Sequence, residues 1–251
     1  MILLRTLAVL VLSVMLFSAD RIDAAEQEYR LASGDTILIH VFGEDELNMQ
    51  VRLDATGVIN YPFLGRVHVE GVSVYELESR LTRGLQDGYI KSPQVNVSIV
   101  EHRPFFIEGE VKKPGGYPFM PGLTIRKAVS LAGGFTEYAT RQSFYVVYEK
   151  PAGRSSVNVG VDAPIGPGDS ITVGKSIFYI SGEVNKPDGY PCRPGLTMRE
   201  AISLAGGLTE RASERKIDII SKDGTERAVE DDVMSTKIES GDSIRVKQSF
   251  F

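Results

Sequence analysis

The chain has 251 residues, 42% hydrophobic and 24% charged, with 25 Gly and 12 Pro spread along its length. That apolar content excludes a disordered chain, and a single long apolar run excludes a protein that crosses a membrane many times. A formal net charge of −5 offers no basic face for phosphate neutralisation, so nucleic acid is not an expected partner; the one cysteine, Cys192, can form neither an internal disulfide nor a cysteine-ligated zinc cluster.

Residues 1–25 read as a secretory signal peptide. Arg5 supplies the positive charge, Leu7 to Phe17 form an apolar core too short for a stable span, and a polar, small-residue stretch follows. No cysteine lies near the cut, so lipid attachment at a new N-terminal cysteine is not expected. The remaining chain is predicted to be exported and soluble on its own.

Residues 26–104 form a first unit. Gly34-Asp35 leads into an apolar strand, TILI at 36–39. Val58 to Val69 alternates around Pro62 and Gly65 as two short strands would. Ser73 is placed to cap a helix, with Glu76 completing a capping box and Val74, Leu77, Leu81 and Leu85 on one face. Pro93 to Ile99 alternates as a strand.

Internal repetition is the strongest signal. FFIEGEVKKPGGYP at 105–118 recurs as FYISGEVNKPDGYP at 178–191, an offset of 73, and 24 of the 35 positions from 105 to 139 are identical. The same offset maps Gly168-Asp169 onto Gly241-Asp242. Residues 105–177 and 178–251 are therefore read as two copies of one small domain. Each begins with a strand, and Lys113-Pro114-Gly115-Gly116 predicts a hairpin turn with Pro second and Gly third and fourth. Asp188 replaces the third residue in the second copy. Thr124 and Thr197 are N-caps, and Glu200 gives the second copy a capping box that Lys127 denies the first. Both helices should end at Gly-Gly pairs, Gly133-Gly134 and Gly206-Gly207. Further apolar runs (Phe144 to Tyr148, Ile217 to Ile220) complete four or five strands around one helix. The fold class is α+β: three small domains in tandem, the last two duplicated and β-grasp-like. Domains this small are expected to need contacts between units or between chains.

These residues carry a resemblance. YRLxxGD at 29–35, the Asp54 to Gly65 segment with Gly57, Pro62 and Gly65, and PxVxV at 93–97 resemble the polysaccharide biosynthesis/export domain. The two GEVxKPxGYP segments with their Leu-Ala-Gly-Gly helix ends resemble soluble-ligand-binding β-grasp (SLBB) domains. In this order they resemble the bacterial outer-membrane polysaccharide export family. The resemblance implies periplasmic rings through which capsular polysaccharide or exopolysaccharide leaves the cell. It also implies an inner-membrane polysaccharide co-polymerase as partner and association with the outer membrane. Long members differ in having a lipobox cysteine and an amphipathic C-terminal pore helix. This chain is read as a short form whose path is completed by a separate outer-membrane β-barrel. Phe251 falls where a third copy would begin, which gives the Phe250-Phe251 end an explanation other than a barrel strand.

The residues suggest no catalysis. His40, His68 and His102 have neither metal-ligand spacing nor a nucleophile beside them, and no phosphate or dinucleotide fingerprint occurs. Glu110 and Glu183 occupy equivalent positions in the two copies, whereas a glycosidase needs two carboxylates across one bond; they are expected to stabilise a turn or strand edge. Cys192 is expected to be an unreactive side chain in a turn. No enzyme activity, cofactor or metal is expected. Lys113, Tyr117, Lys186 and Tyr190 are the candidate glycan or partner contacts, because aromatic rings and flexible polar chains suit sugars; the competing reading packs each Tyr inward and leaves each Lys solvated. Two functions follow: a component of a polysaccharide translocon, or a periplasmic glycan-binding or scaffolding module that conducts nothing.

Overall fold

A computed structural model describes residues 29–150, 153–227 and 232–249; the signal-peptide reading and the Phe250-Phe251 end fall outside the described residues. The architecture is α+β, as the sequence predicts, with three separate hydrophobic cores formed by residues 31–97, 105–173 and 178–246.

In the first unit, β1 (Thr36–Val41) is central in a three-stranded sheet between β2 (Met49–Arg52) and β5 (Val95–Glu101). A separate hairpin pairs β3 (Val58–Tyr61) with β4 (Gly65–His68). Helix α1 (Val74–Gln86) starts at Ser73, whose hydroxyl accepts the Glu76 N–H at 3.2 Å while the Glu76 carboxylate accepts the Ser73 N–H at 2.9 Å. Leu77, Leu81 and Leu85 recur at helical spacing and are fully buried, each contributing about 1.5–3 kcal/mol.

The repeats share one plan. The first forms a five-stranded sheet in the order β7-β6-β10-β8-β9, from β6 (Phe105–Gly109), β7 (Gly115–Tyr117), β8 (Ala139–Lys150), β9 (Gly153–Val159) and β10 (Ser170–Lys175), with helix α2 (Ile125–Leu131). The second has the order β12-β11-β15-β13-β14, from β11 (Ile177–Gly182), β12 (Asp188–Pro191), β13 (Ala212–Ile220), β14 (Glu226–Arg227) and β15 (Ser243–Gln248), with helix α3 (Met198–Leu204). Ile125, Ala128, Val129 and Ala132 are buried together, as their spacing demands. The repeats differ in the β8–β9 ribbon, where β8 runs for 12 residues against 9 in β13 and pairs with a 7-residue β9, while β14 has 2.

Two expectations need correction. Gly115 and Gly116 are not turn residues: they belong to β7, paired with Ile107 and Phe106. The turn comes earlier because its backbone is drawn onto the helix end. The N–H groups of Lys112 and Lys113 donate to the carbonyls of Gly134 and Ala132 (3.0 and 2.9 Å), and Asn185 and Lys186 repeat this on Gly207 and Ala205 (3.0 and 2.8 Å). Helix carbonyls left without partners are thereby satisfied, and Gly133, Gly134, Gly206 and Gly207 supply the left-handed backbone that aims them there. Cys192 likewise is not in a turn but in the second repeat's core, 3% exposed, where burial pushes its thiol pKa up.

Candidate functional site

Each hairpin places its predicted contacts in the same way. Tyr117 lies opposite Phe105, and the rings stack at 5.9 Å. The Tyr117 hydroxyl then donates to the Lys113 carbonyl at 2.6 Å. Tyr190 repeats this on Phe178 (5.9 Å) and on the Lys186 carbonyl (2.7 Å). The tyrosines are half-buried struts of the turn, and Lys113 and Lys186 are exposed, their stems lying beside Gly133 and Gly206 at the helix ends. Lysine and tyrosine are brought together within each hairpin. None of the four lines the cleft described below.

Glu110 and Glu183 brace the chain just beyond the helix ends. The Thr136 hydroxyl donates to Glu110, and the Thr209 hydroxyl donates to Glu183 at 2.5 Å. Gln248 adds a bond to Glu183 at 2.7 Å. These bonds, the threonine hydroxyl first, hold the Glu183 carboxyl below its usual pKa.

The three Gly-Asp phrases form one recurring turn. In each, a buried Asp carboxylate accepts the N–H three residues back: Ala32 to Asp35 (2.9 Å), Gly166 to Asp169 (2.6 Å) and Glu239 to Asp242 (2.8 Å). The charge is met differently. Asp35 also receives the Tyr29 hydroxyl at 2.6 Å, the Arg103 N–H at 2.7 Å and the Arg103 guanidinium at 3.3 Å. Asp242 is paired with Arg227 at 2.8 Å, yet burial raises its pKa. Above the Asp35 knot, His102 lies between the rings of Tyr29 (4.8 Å) and Phe119 (5.4 Å). The first unit thus meets the first repeat through an imidazole whose Nδ1 is buried without a partner.

A cleft of about 310 Å³ opens where the repeats meet, lined by Tyr138 of the first and by Pro191, Arg193, Leu196, Glu200, Ser203 and Leu204 of the second. Arg193 bonds Glu200 at 2.6 Å. The Glu200 carboxyl is held below its usual pKa, chiefly by the Thr197 N–H of its capping box. Tyr138 has its pKa raised, chiefly by a hydrogen bond to Glu137, and the Lys175 ammonium lies 5.7 Å from its ring centre. An aromatic face beside a cation, a carboxylate and a hydroxyl can accept one sugar-sized polar group. Sequence reasoning placed Glu200 in a helix cap only and passed over the other residues of the cleft. A signal was present in the positions where the copies disagree: Tyr138 stands opposite Arg211, Arg193 opposite Met120, and Glu200 opposite Lys127. Among the described residues no grouping of His, Cys, Asp and Glu could hold a metal ion, and no helix is long and apolar enough to cross a membrane.

Comparison with known proteins gives this geometry a family. Residues 23–100 match the family described as polysaccharide biosynthesis/export protein, and residues 104–159 and 177–230 match the SLBB domain. The exopolysaccharide production protein ExoF of Rhizobium meliloti (strain 1021) is 30% identical over 148 residues, 54% of this chain and 35% of that protein. The EPS I polysaccharide export outer membrane protein EpsA of Ralstonia nicotianae (strain ATCC BAA-1114 / GMI1000) is 26% identical over 232 residues, 84% of this chain and 59% of its own length. The polysialic acid transport protein KpsD of Escherichia coli is 25% identical over 218 residues, 81% of this chain and 38% of its own. The chain thus spans about a third to three-fifths of these relatives. The chain is thus built of a polysaccharide biosynthesis/export domain ahead of two SLBB domains that share a common turn, hairpin and helix end.

Proposed function

We propose that this protein is a non-enzymatic, periplasmic component of a polysaccharide translocon. In this reading it forms a homo-oligomeric ring at the outer membrane and passes capsular polysaccharide or exopolysaccharide onward from an inner-membrane co-polymerase. The observation that carries the reading is the extent of the likeness: relatives named for polysaccharide export and polysialic acid transport align over 84% and 81% of the chain. The ring is supported by the build of the molecule, three small cores in a row, since tandem units pack head to tail and a heterologous interface closes when its rotation allows. A separate outer-membrane β-barrel completes the path; in support, the strands described here lie in open sheets of two to five members. Lys113 and Lys186 in the hairpin turns, with Tyr117 and Tyr190 holding them, are the proposed contacts for an acidic glycan or a partner.

Deleting the gene should abolish surface polysaccharide, and the wild-type gene should restore it. Cross-linking and native mass measurement of the exported protein should show a closed ring, and a strictly monomeric species at high concentration, with and without detergent, overturns it. Purified protein should give no conductance in planar bilayers; stable channels from it alone overturn the separate barrel. The inter-repeat cleft favours a second reading, a glycan-binding module that conducts nothing, which an undiminished polymer output in the deletion strain would select.

A further inference from the structure

The hairpin between β3 and β4 turns through Pro62, Phe63 and Leu64. The Leu64 N–H donates to the Pro62 carbonyl at 2.8 Å across a three-residue turn, and Phe63 at its centre has φ 63°. A bulky residue held there costs about 1–3 kcal/mol of backbone strain. Packing on both sides enforces it. Tyr61 is buried and donates its hydroxyl to the Leu47 carbonyl at 2.9 Å. Leu64 presses on Gly84 of helix α1, where a Cβ would come within 2.9 Å of its methyl groups. A glycine inside a helix itself costs about 1 kcal/mol relative to alanine, so the helix as well as the turn yields to this arrangement.

With Tyr61 and Leu64 held inward, Phe63 is turned out and is 62% exposed. Tyr89, from the connection between α1 and β5 and 53% exposed, stacks on it with ring centres 5.1 Å apart and planes 28° from parallel. Ser92, three residues on, has φ 67°. Phe63 and Ser92 are the two non-glycine residues with left-handed backbone among those described; the first carries one ring of the exposed pair and the second lies three residues from the other. Neither Phe63 nor Tyr89 belongs to the domain's core. Tyr61 and Leu64 carry the packing of this turn, and the exposed aromatic ring at its strained centre points to a use outside the folded chain.

We propose that Phe63 and Tyr89 form a stacking platform for the pyranose rings of the exported glycan. This rests on the polysaccharide-export reading and adds a contact site to it. The C–H face of a sugar ring is apolar and flat enough to lie on an aromatic ring, while its hydroxyls need polar partners at the rim. Asn60 and Arg66, paired across the hairpin, and Lys91 beside Tyr89 are exposed and supply them. An open two-ring surface holds each residue of a polymer weakly, which suits cargo that must move on.

The test is affinity electrophoresis of the full exported chain through gels containing exopolysaccharide purified from the producing strain. Phe63→Gly and Tyr89→Ala should each weaken the retardation constant about tenfold, and Phe63→Tyr should keep it. Phe63→Gly should also leave the melting midpoint unchanged or raise it, because glycine accepts that backbone. Undiminished retardation of Phe63→Gly and Tyr89→Ala overturns the platform, as does a lowered midpoint for Phe63→Gly, which would make the ring a structural strut. Ring-dependent self-association in sedimentation without ring-dependent retardation assigns the face to a second copy and also overturns it. Gene deletion keeps the two readings apart: unchanged polymer output with ring-dependent retardation removes the export role and leaves the platform.

Discussion

The two repeats agree in the residues that build them and differ where they meet. Both close the hairpin with a tyrosine hydroxyl on a lysine carbonyl, satisfy the helix end with turn N–H groups, brace a glutamate with a threonine, and bury an aspartate in the Gly-Asp turn. Tyr138, Arg193 and Glu200 have no counterpart of like chemistry in the other copy, and all three line the cleft. The folding devices of a duplicated domain are therefore fixed by the chain's own geometry, while its individuality lies in the surface each copy turns to its neighbour.

The largest effect should come from a device that both repeats share. Gly109 and Gly182 have φ 82° and 86°, and a Cβ there would lie 2.2 Å from the Val173 carbonyl oxygen and 2.1 Å from that of Val246. Neither oxygen can retreat, because each belongs to the strand pairing with the glycine's own. Gly109→Ala and Gly182→Ala should each cost about 3–4 kcal/mol, read from denaturant midpoints of the full chain. Unequal losses would break the equivalence of the repeats. Nearly as large should be Asp35→Ala, about 3 kcal/mol, since it removes the carboxylate paired with the largely buried Arg103 guanidinium, 12% exposed, and three further hydrogen bonds. A loss under about 1 kcal/mol would show that the first unit's Gly-Asp turn is ordinary surface structure.

A smaller effect should separate the repeats. Thr197→Ala should cost about 1 kcal/mol, because Thr197 accepts the Glu200 N–H and Glu200 answers at 2.9 Å. Thr124→Ala should cost less, because Lys127 cannot return the bond and the remaining contact is 3.5 Å long. Equal losses would show that the box adds nothing. The smallest effect is a pH dependence at the junction. Burial, with Arg103 nearby, lowers the His102 pKa below 6.5, and Asp35 only partly opposes this. The unfolded chain then binds the proton more readily, so the contribution of neutral His102 is complete above about pH 6.5 and fades as pH falls toward the folded-state value. Unfolding midpoints of the wild type, but not of His102→Phe, should carry this slope.

Much of the fold was legible because its signals are local. Ser73 with Glu76, Thr197 with Glu200 and the Gly-Gly pairs each act within a few residues, and the capped helices form where those residues stand. The hairpin turn was misread because its geometry is set by a helix end some 20 residues away, Lys113 donating to Ala132. A Pro-Gly-Gly motif carries no trace of that pull. The cleft was hidden for a related reason: Tyr138 and Glu200 lie far apart in sequence and become neighbours only when the domains dock. Phe63 stood within a recognised stretch, yet its outward turn depends on Leu64 finding room over Gly84.

The strand pairing of the repeats also bears on how the chain would fold if it is secreted, as the proposed periplasmic role requires. In each repeat the opening strand runs parallel to the closing one, Phe106 beside Ser170 and Tyr179 beside Ser243, partners 64 residues apart in sequence. Pairs so distant close slowly, because loop entropy must be overcome before the contact returns anything. A chain threaded N-terminus first through a secretion channel therefore presents β6 long before β10 emerges to cover it. Until then that edge is open, and so is the edge of β11 until β15 arrives. The first repeat can finish while the second is still in transit, so the order of the domains along the chain is also the order in which they become resistant to proteolysis.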